Sequence, residues 1–146
     1  MSIYSALDYI KKRGLGSSVP IISPIFRSEA SAIDATATVT AAQLKTGLLT
    51  STSAAAVTMT LPTATLMGTA INASQGTTFD FYVDNTAGAN TVTVAVGTDI
   101  VVAKQTSTGN TANDSLLTVA ASSTVGVGLF RIYFSSATAA VLYRLG

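Results

Sequence analysis

The feature that most constrains the fold is a change of hydrophobic period near Thr36. From there onward apolar and polar residues alternate one by one, most clearly in Thr77–Asp84. Successive side chains of a β-strand point to opposite faces of its sheet, so this alternation predicts half-buried strands. In Thr77–Asp84 the phase places Phe79, Phe81 and Val83 on the core side. The body of the chain is therefore predicted to be a β structure.

Runs of the same kind recur at spacings near ten residues, with turn-forming residues between them. Residues 85–90 are predicted to close a hairpin, and Pro62 to open a short helical turn that extends through Ile71. This spacing is typical of an antiparallel β-sandwich, jelly roll or barrel of about eight strands, and the lack of crossover helices argues against a parallel α/β fold. The predicted strands cover residues 36–40, 56–61, 77–84, 91–96, 100–103, 116–119, 125–134 and 140–145.

The first 35 residues follow a different pattern. Residues 2–13 carry an apolar stripe at three- and four-residue steps, which predicts a short amphipathic helix. Prolines and several isoleucines follow, which predicts an extended, apolar segment laid on a surface. The chain therefore divides into an N-terminal helix and extended arm (residues 1–35) and a β-sandwich domain (residues 36–146). The predicted assembly and shell contacts of the arm are Ile3, Tyr4, Leu7, Ile10, Val19, Ile21, Ile22, Ile25 and Phe26.

Charged residues are scarce in this sequence. They make up 10% of the chain while hydrophobic residues make up 48%, and an average soluble protein has roughly 25% charged residues. Threonine and serine supply the polar surface instead. Few charges have to be desolvated when two such surfaces meet, so the composition favours an oligomer. The simpler interpretation is a soluble β domain of biased composition.

Charge and hydropathy also bear on possible partners. The net charge is +1 and the body has no basic stripe, so we expect no nucleic-acid partner. No stretch approaches the roughly 20 apolar residues that span a bilayer, so we expect no membrane partner. The one basic cluster, Lys11-Lys12-Arg13, follows the apolar residues rather than preceding them, which argues against a signal peptide.

The sequence offers little of the chemistry that enzymes use. Histidine and cysteine are both absent, which removes the usual general base, the thiol nucleophile and the commonest transition-metal ligands. Asp80 and Asp84 share one strand face at a separation of about 13 Å, whereas a glycosidase pair needs at most about 9.5 Å. Asp84 with Asn85 fits a turn as well as a calcium site. We therefore predict no enzyme, no catalytic residue, no cofactor and no metal.

Five segments in this order resemble a known group of viral proteins. They are Leu61-Pro62-Thr63-Ala64, Gly76–Phe81, the Asn85-Thr86 turn, the Thr91–Val96 strand and the terminal Leu142–Leu145. Their order is similar to that of small β domains in capsid decoration, cement, head-fibre and minor capsid proteins of tailed phages and large DNA viruses. The resemblance covers roughly two-thirds of the chain and does not include the N-terminal third.

The resemblance implies a non-enzymatic virion component, often trimeric, that binds the capsid shell. The expected partners are further copies of the chain, as a homotrimer, and the major capsid protein, with assembly in the host cell. One alternative is a receptor- or carbohydrate-binding fibre or spike tip that uses Tyr82, Tyr133 or the Gln105–Asp114 loop. A second alternative is an unrecognised hydrolase, for which Asp80 and Asp99 are the best carboxylate candidates.

Overall fold

The computed structural model describes residues 29–103 and 117–146. Within these ranges the protein is mainly β, as predicted, with ten strands and two short helices. The helices are α1 (Ala41–Leu44) and α2 (Ala64–Ile71). The strands are β1 (Ser31–Ala32), β2 (Ala37–Thr38), β3 (Leu48–Thr50), β4 (Val57–Thr60), β5 (Thr78–Asp84), β6 (Val92–Ala95), β7 (Ile100–Val102), β8 (Thr118–Val119), β9 (Val127–Ser136) and β10 (Ala139–Arg144).

The strands form two mixed sheets. Sheet A has six strands in the order β1-β3-β5-β9-β10-β7, and sheet B has four in the order β2-β4-β6-β8. The first eight strands alternate between the two sheets, one strand in sheet A and the next in sheet B. As a result β1, β3 and β5 run parallel in sheet A, and β2, β4 and β6 run parallel in sheet B.

The prediction of antiparallel pairing is wrong for most of the described strand pairs. Five of the eight pairings are parallel, and only β5–β9, β9–β10 and β6–β8 are antiparallel. Parallel neighbours need a crossover of a dozen or more residues, usually a helix. Here each crossover passes through a strand of the other sheet, and four of the five also contain one of the two short helices, α1 or α2.

The predicted hairpin at residues 85–90 is also wrong, because this segment carries the chain from β5 in sheet A to β6 in sheet B. The buried Asn85 holds the crossing. Its side-chain amide donates hydrogen bonds to the carbonyl oxygens of Asn90 and Val119, at 2.8 and 3.0 Å. Val119 lies in β8, so one side chain joins the end of β5 to the edge of sheet B.

The ordered β structure begins before the predicted boundary at residue 36. β1 pairs with β3, and Ile33 is buried and donates a backbone hydrogen bond to Thr50. Ile33 continues the pairing of β1 with β3 beyond Ala32 and is buried, so β1 and Ile33 belong to sheet A and its core. The predicted helix at residues 2–13 lies outside the described residues, as does the extended segment up to residue 28.

The inward side chains of both sheets join one hydrophobic cluster. In sheet A its largest members are phenylalanines, of which Phe81 and Phe130 are directly opposed across β5 and β9 and stack at 5.3 Å. The helical turn predicted after Pro62 is confirmed as α2, which begins after its N-cap Thr63 and buries Met67. The chain returns through the β9–β10 hairpin, which confirms the closing hairpin predicted from the sequence.

Candidate functional site

Aromatic side chains in sheet A are sorted by face. On β5 and β9 the phenylalanines point inward, and Phe81, Phe130 and Phe134 are fully buried. The tyrosines occupy the alternate positions of β5, β9 and β10 and point outward. All three tyrosines of the described residues therefore share the outer face of sheet A, because strand side chains alternate with a period of two.

We call this outer surface of sheet A the tyrosine face. In the described ranges seven large apolar side chains are exposed, and five of them belong to this face or its rim. The face is therefore where exposed apolar surface is concentrated, rather than scattered singly as on most proteins. It consists of Tyr82, Tyr133 and Tyr143, of the ion-paired Asp80 and Arg131, and of Leu48, Thr50, Thr78, Asp84, Val101, Val127, Leu129, Val141 and Leu145.

Asp80 and Arg131 form a bidentate ion pair at the centre of the tyrosine face. They are direct partners across β5 and β9, and Arg131 donates from Nε to Oδ1 at 2.7 Å and from Nη2 to Oδ2 at 2.6 Å. These hydrogen bonds and the charge of the guanidinium lower the pKa of Asp80. The two charges neutralise each other, so the centre of the face carries no net charge.

A shallow depression of about 330 Å³ opens on the tyrosine face, lined by Thr78, Arg131, Tyr133, Tyr143 and Leu145. The strand register creates it, because Thr78 lies opposite Tyr133 and Arg131 lies opposite Tyr143. Two phenol rings thus flank a guanidinium that already holds a carboxylate. Such a surface offers stacking, hydrogen-bond donors and apolar contact, which are the means by which proteins bind other proteins and sugars.

The outer face of sheet B differs in composition. Thr58 and Thr60 on β4, Thr93 on β6 and Thr118 on β8 alternate with buried Val and Met residues. We call this surface the threonine face. Its hydroxyl groups can bond to water, so this half of the protein needs no cover.

A larger groove of about 640 Å³ lies at the carboxyl ends of β2, β4 and β6. Its walls combine apolar side chains such as Leu61, Pro62 and Leu66 with threonines, and no ionisable side chain lines it. Size alone favours this groove as a site, but the tyrosine face has the aromatic, charged and hydrogen-bonding groups that make recognition specific. We therefore place the candidate functional site on the tyrosine face.

Three carboxylates of the described residues, those of Asp34, Asp80 and Asp84, accept hydrogen bonds from neighbouring groups. Asp84 accepts from the backbone N–H and the hydroxyl of Thr86, at 2.9 and 2.7 Å, and these bonds lower its pKa. Asp34 accepts from the N–H of Thr52 at 2.6 Å. A general acid needs a raised pKa, whereas Asp80 and Asp84 are both held ionised. Within residues 29–103 and 117–146, no three His, Cys, Asp or Glu side chains are close enough together to hold a metal ion.

The structure brings together only part of the predicted contact set. Tyr82 and Tyr133 lie on one face, as an exposed ligand-binding role requires. The arm contacts lie outside the described residues, namely Ile3, Tyr4, Leu7, Ile10, Val19, Ile21, Ile22, Ile25 and Phe26. The Gln105–Asp114 loop lies outside them as well.

Sequence reasoning missed Tyr143 and Arg131 as members of the site. The alternation in β10 marks Tyr143 as outward, because Leu142 is buried beside it. The register that sets Tyr143 opposite Arg131, and Arg131 opposite Asp80, depends on how distant strands pair. The local sequence carries no signal for that register.

Fold and site together define a mainly β protein with one aromatic outer face and one threonine outer face. Comparisons with family models, with curated proteins and with solved structures found no match to this chain. Among the described helices, neither has the length and hydropathy that crossing a bilayer requires.

Proposed function

We propose that the chain is a structural, non-enzymatic component of a virion, a capsid decoration, cement or minor capsid protein. It self-associates as a homotrimer and docks on the major capsid protein through its N-terminal arm, in particles assembled in the host cell. The observation that carries this proposal is the tyrosine face, an aromatic and apolar surface left open on a sparsely charged body. The resemblance of the five segments between Leu61 and Leu145 to small capsid-associated β domains supports the viral setting.

The chemistry of the tyrosine face suits an interface between proteins. Interface centres are enriched in tyrosine and arginine and depleted of unpaired charge, because aromatic rings bury large areas at a small cost in side-chain entropy. Tyr82, Tyr143 and the neutralised Arg131 supply this combination.

We further infer that the two sheets pack face to face as a β-sandwich. The support is that Val119 of sheet B lies against Gly128 of sheet A, and that Nη1 of Arg144 on β10 donates to the carbonyl oxygen of Thr118 on β8 at 3.0 Å. The parallel pairings favour a sandwich built by alternating crossings over a jelly roll, which is built from antiparallel Greek keys.

The test compares the full chain with a chain that begins at Glu29. Sedimentation velocity and negative-stain microscopy of the full 14.8 kDa chain should show trimers or larger ordered assemblies. The shorter chain should keep its β signal in circular dichroism and lose assembly. A full chain that is monomeric at every concentration, or a shortened chain that assembles normally, would contradict the proposal.

The alternative function is a receptor- or carbohydrate-binding tip. The observation that favours it is the depression between Tyr133 and Tyr143, where a sugar ring can stack on a phenol and bond to Arg131. A glycan array with the full chain tests it, with Tyr143→Ala as the matched variant. Binding that Tyr143→Ala abolishes would support this function, and an array without binding would count against it.

A further inference from the structure

The tyrosine face presents an unusual sheet surface. A sheet with one buried face normally turns polar residues toward water, yet here Tyr82, Val101 and Tyr143 are 48%, 62% and 40% exposed. The face extends over four strands, from Tyr82 on β5 to Val101 on β7. Exposed apolar side chains concentrated in this way are typical of docking surfaces.

The chain itself contains a segment of matching chemistry. Residues 2–27 carry the apolar stripe of the predicted helix and a run of isoleucines, and such a short helix is marginal in water without a surface to pack on. This segment joins the body at β1, which is the edge strand of sheet A. It therefore leaves the body beside the sheet that bears the tyrosine face.

The two parts also carry opposite net charge. Residues 1–28 contain four basic residues and one acidic residue, a net charge of +3, whereas residues 29–146 contain four basic and six acidic residues, a net charge of −2. Association of the arm with a body is therefore favoured by electrostatic attraction as well as by apolar contact.

The length of the arm allows it to reach a second copy of the chain. Residues 14–30 could reach up to about 56 Å if fully extended, and Pro20 and Pro24 favour extended backbone in the residues before them. The six strands of sheet A span only about 24 Å from edge to edge. A segment of this length is long enough to place the predicted helix on a neighbouring body.

We propose that the tyrosine face binds residues 2–27 of a second copy of the chain, so that copies are joined by exchange of arms. This inference rests on the proposed function, because it identifies the surface that receives the arm during self-association. It assigns Tyr82 and Tyr143 as the anchors of that surface, with Leu7 and Ile10 as their partners in the arm.

A mixing experiment with full-length variants tests the exchange. The arm variant Leu7→Ser/Ile10→Ser keeps an intact face, and the face variant Tyr82→Ser/Tyr143→Ser keeps an intact arm. Each alone should associate at least about tenfold more weakly than wild type in sedimentation velocity, the size expected when aromatic or aliphatic anchors are lost. Mixed together they should form a one-to-one complex, because one partner supplies the arm and the other supplies the face.

Matched controls keep the result interpretable. Leu66→Ser removes an equally exposed apolar side chain, 59% exposed, from the groove of sheet B and should leave association unchanged. Circular dichroism melts should show that all variants fold. Variants that fold but form no complex on mixing would overturn the exchange, as would a face variant that associates like wild type. Failure of the proposed function is distinguishable, because then wild type itself does not associate.

Discussion

The outer faces of the two sheets share one backbone geometry and differ in what they present. In both sheets the outward side chains alternate along each strand with inward side chains of one buried core. The tyrosine face nevertheless presents phenol rings and aliphatic side chains, while the threonine face presents hydroxyl groups. Threonine favours β structure and satisfies water at the same time. The threonine face therefore suits contact with water, whereas the tyrosine face is the surface that the proposed assembly would cover.

The largest expected effect on stability comes from removing an inward ring of sheet A, and it contrasts with the small effect of removing an outward ring. Phe130→Ala removes a fully buried ring that stacks on Phe81 and should lower the free energy of unfolding by about 3–5 kcal/mol. Tyr82→Ser, on the outer face of the neighbouring strand, should lower it by about 1 kcal/mol at most. Urea unfolding followed by circular dichroism measures both.

A loss of stability in Tyr82→Ser as large as that in Phe130→Ala would contradict the distinction between a buried inner face and an exposed outer face of sheet A. The outer ring would then stabilise the fold rather than serve a contact. The comparison also holds for association, which Tyr82→Ser should weaken because its ring belongs to the proposed docking surface.

Alternation predicted which way side chains point, and for this reason the core could be predicted well. Phe79, Phe81 and Val83 were placed on the core side of β5, and Phe81 and Val83 are fully buried with Phe79 packed against them. Each of these assignments depends on neighbours one or two residues away. β1 and β3, of two and three residues, were not predicted.

The pairing of strands could not be predicted in the same way. Two strands joined by a hairpin and two strands in different sheets both bury every second side chain. The alternation on either side of residues 85–90 is therefore compatible with both connections. What decides between them is long-range, such as the bond from Asn85 to the carbonyl of Val119. The tyrosine face depends on the same information, because Asp80, Arg131 and Tyr143 are far apart in sequence and become neighbours only through register.

The second prediction concerns the contact between the sheets. A Cβ atom at Gly128 would lie 2.8 Å from Cγ2 of Val119 and 2.9 Å from the ring of Phe130. Gly128→Ala should therefore lower the free energy of unfolding by about 1–3 kcal/mol, because these groups must move apart. Val127→Ala, one residue away on the tyrosine face, is the control and should have a smaller effect in thermal melts. Equal losses of stability in the two variants would mean that the inward side of β9 is packed no more tightly than its outward side.

The third prediction concerns a variant in which two threonines of the threonine face are replaced by tyrosines, as on the tyrosine face. Thr58 and Thr93 are direct partners on β4 and β6, and Thr58→Tyr/Thr93→Tyr should change the free energy of unfolding by no more than about 1 kcal/mol, because tyrosine also favours strands. The variant should nevertheless associate more strongly in sedimentation velocity than wild type or the control Thr58→Ser/Thr93→Ser. An unchanged sedimentation profile would show that exposed rings alone do not cause association.

The smallest expected effect concerns the ion pair on the tyrosine face. Arg131 holds the pKa of Asp80 below its usual value of 3.8, so the pair's contribution to stability is fully present above about pH 4 and is lost as the pH falls through the lowered pKa. Asp80→Asn should lower the melting temperature at pH 7 by less than any destabilising substitution above, because both side chains are exposed, 39% and 44% respectively, and screened by solvent.

The pH dependence of stability distinguishes the Asp80–Arg131 pair from Asp84, the other carboxyl with a lowered pKa. Asp84 also loses its charge at low pH, but it does so equally in wild type and in Asp80→Asn. The difference in melting temperature between the two proteins therefore isolates Asp80, and it should shrink toward zero as the pH falls below about 4 and through the lowered pKa of Asp80. A difference that stays constant over this range would mean that ionisation of Asp80 is not its cause.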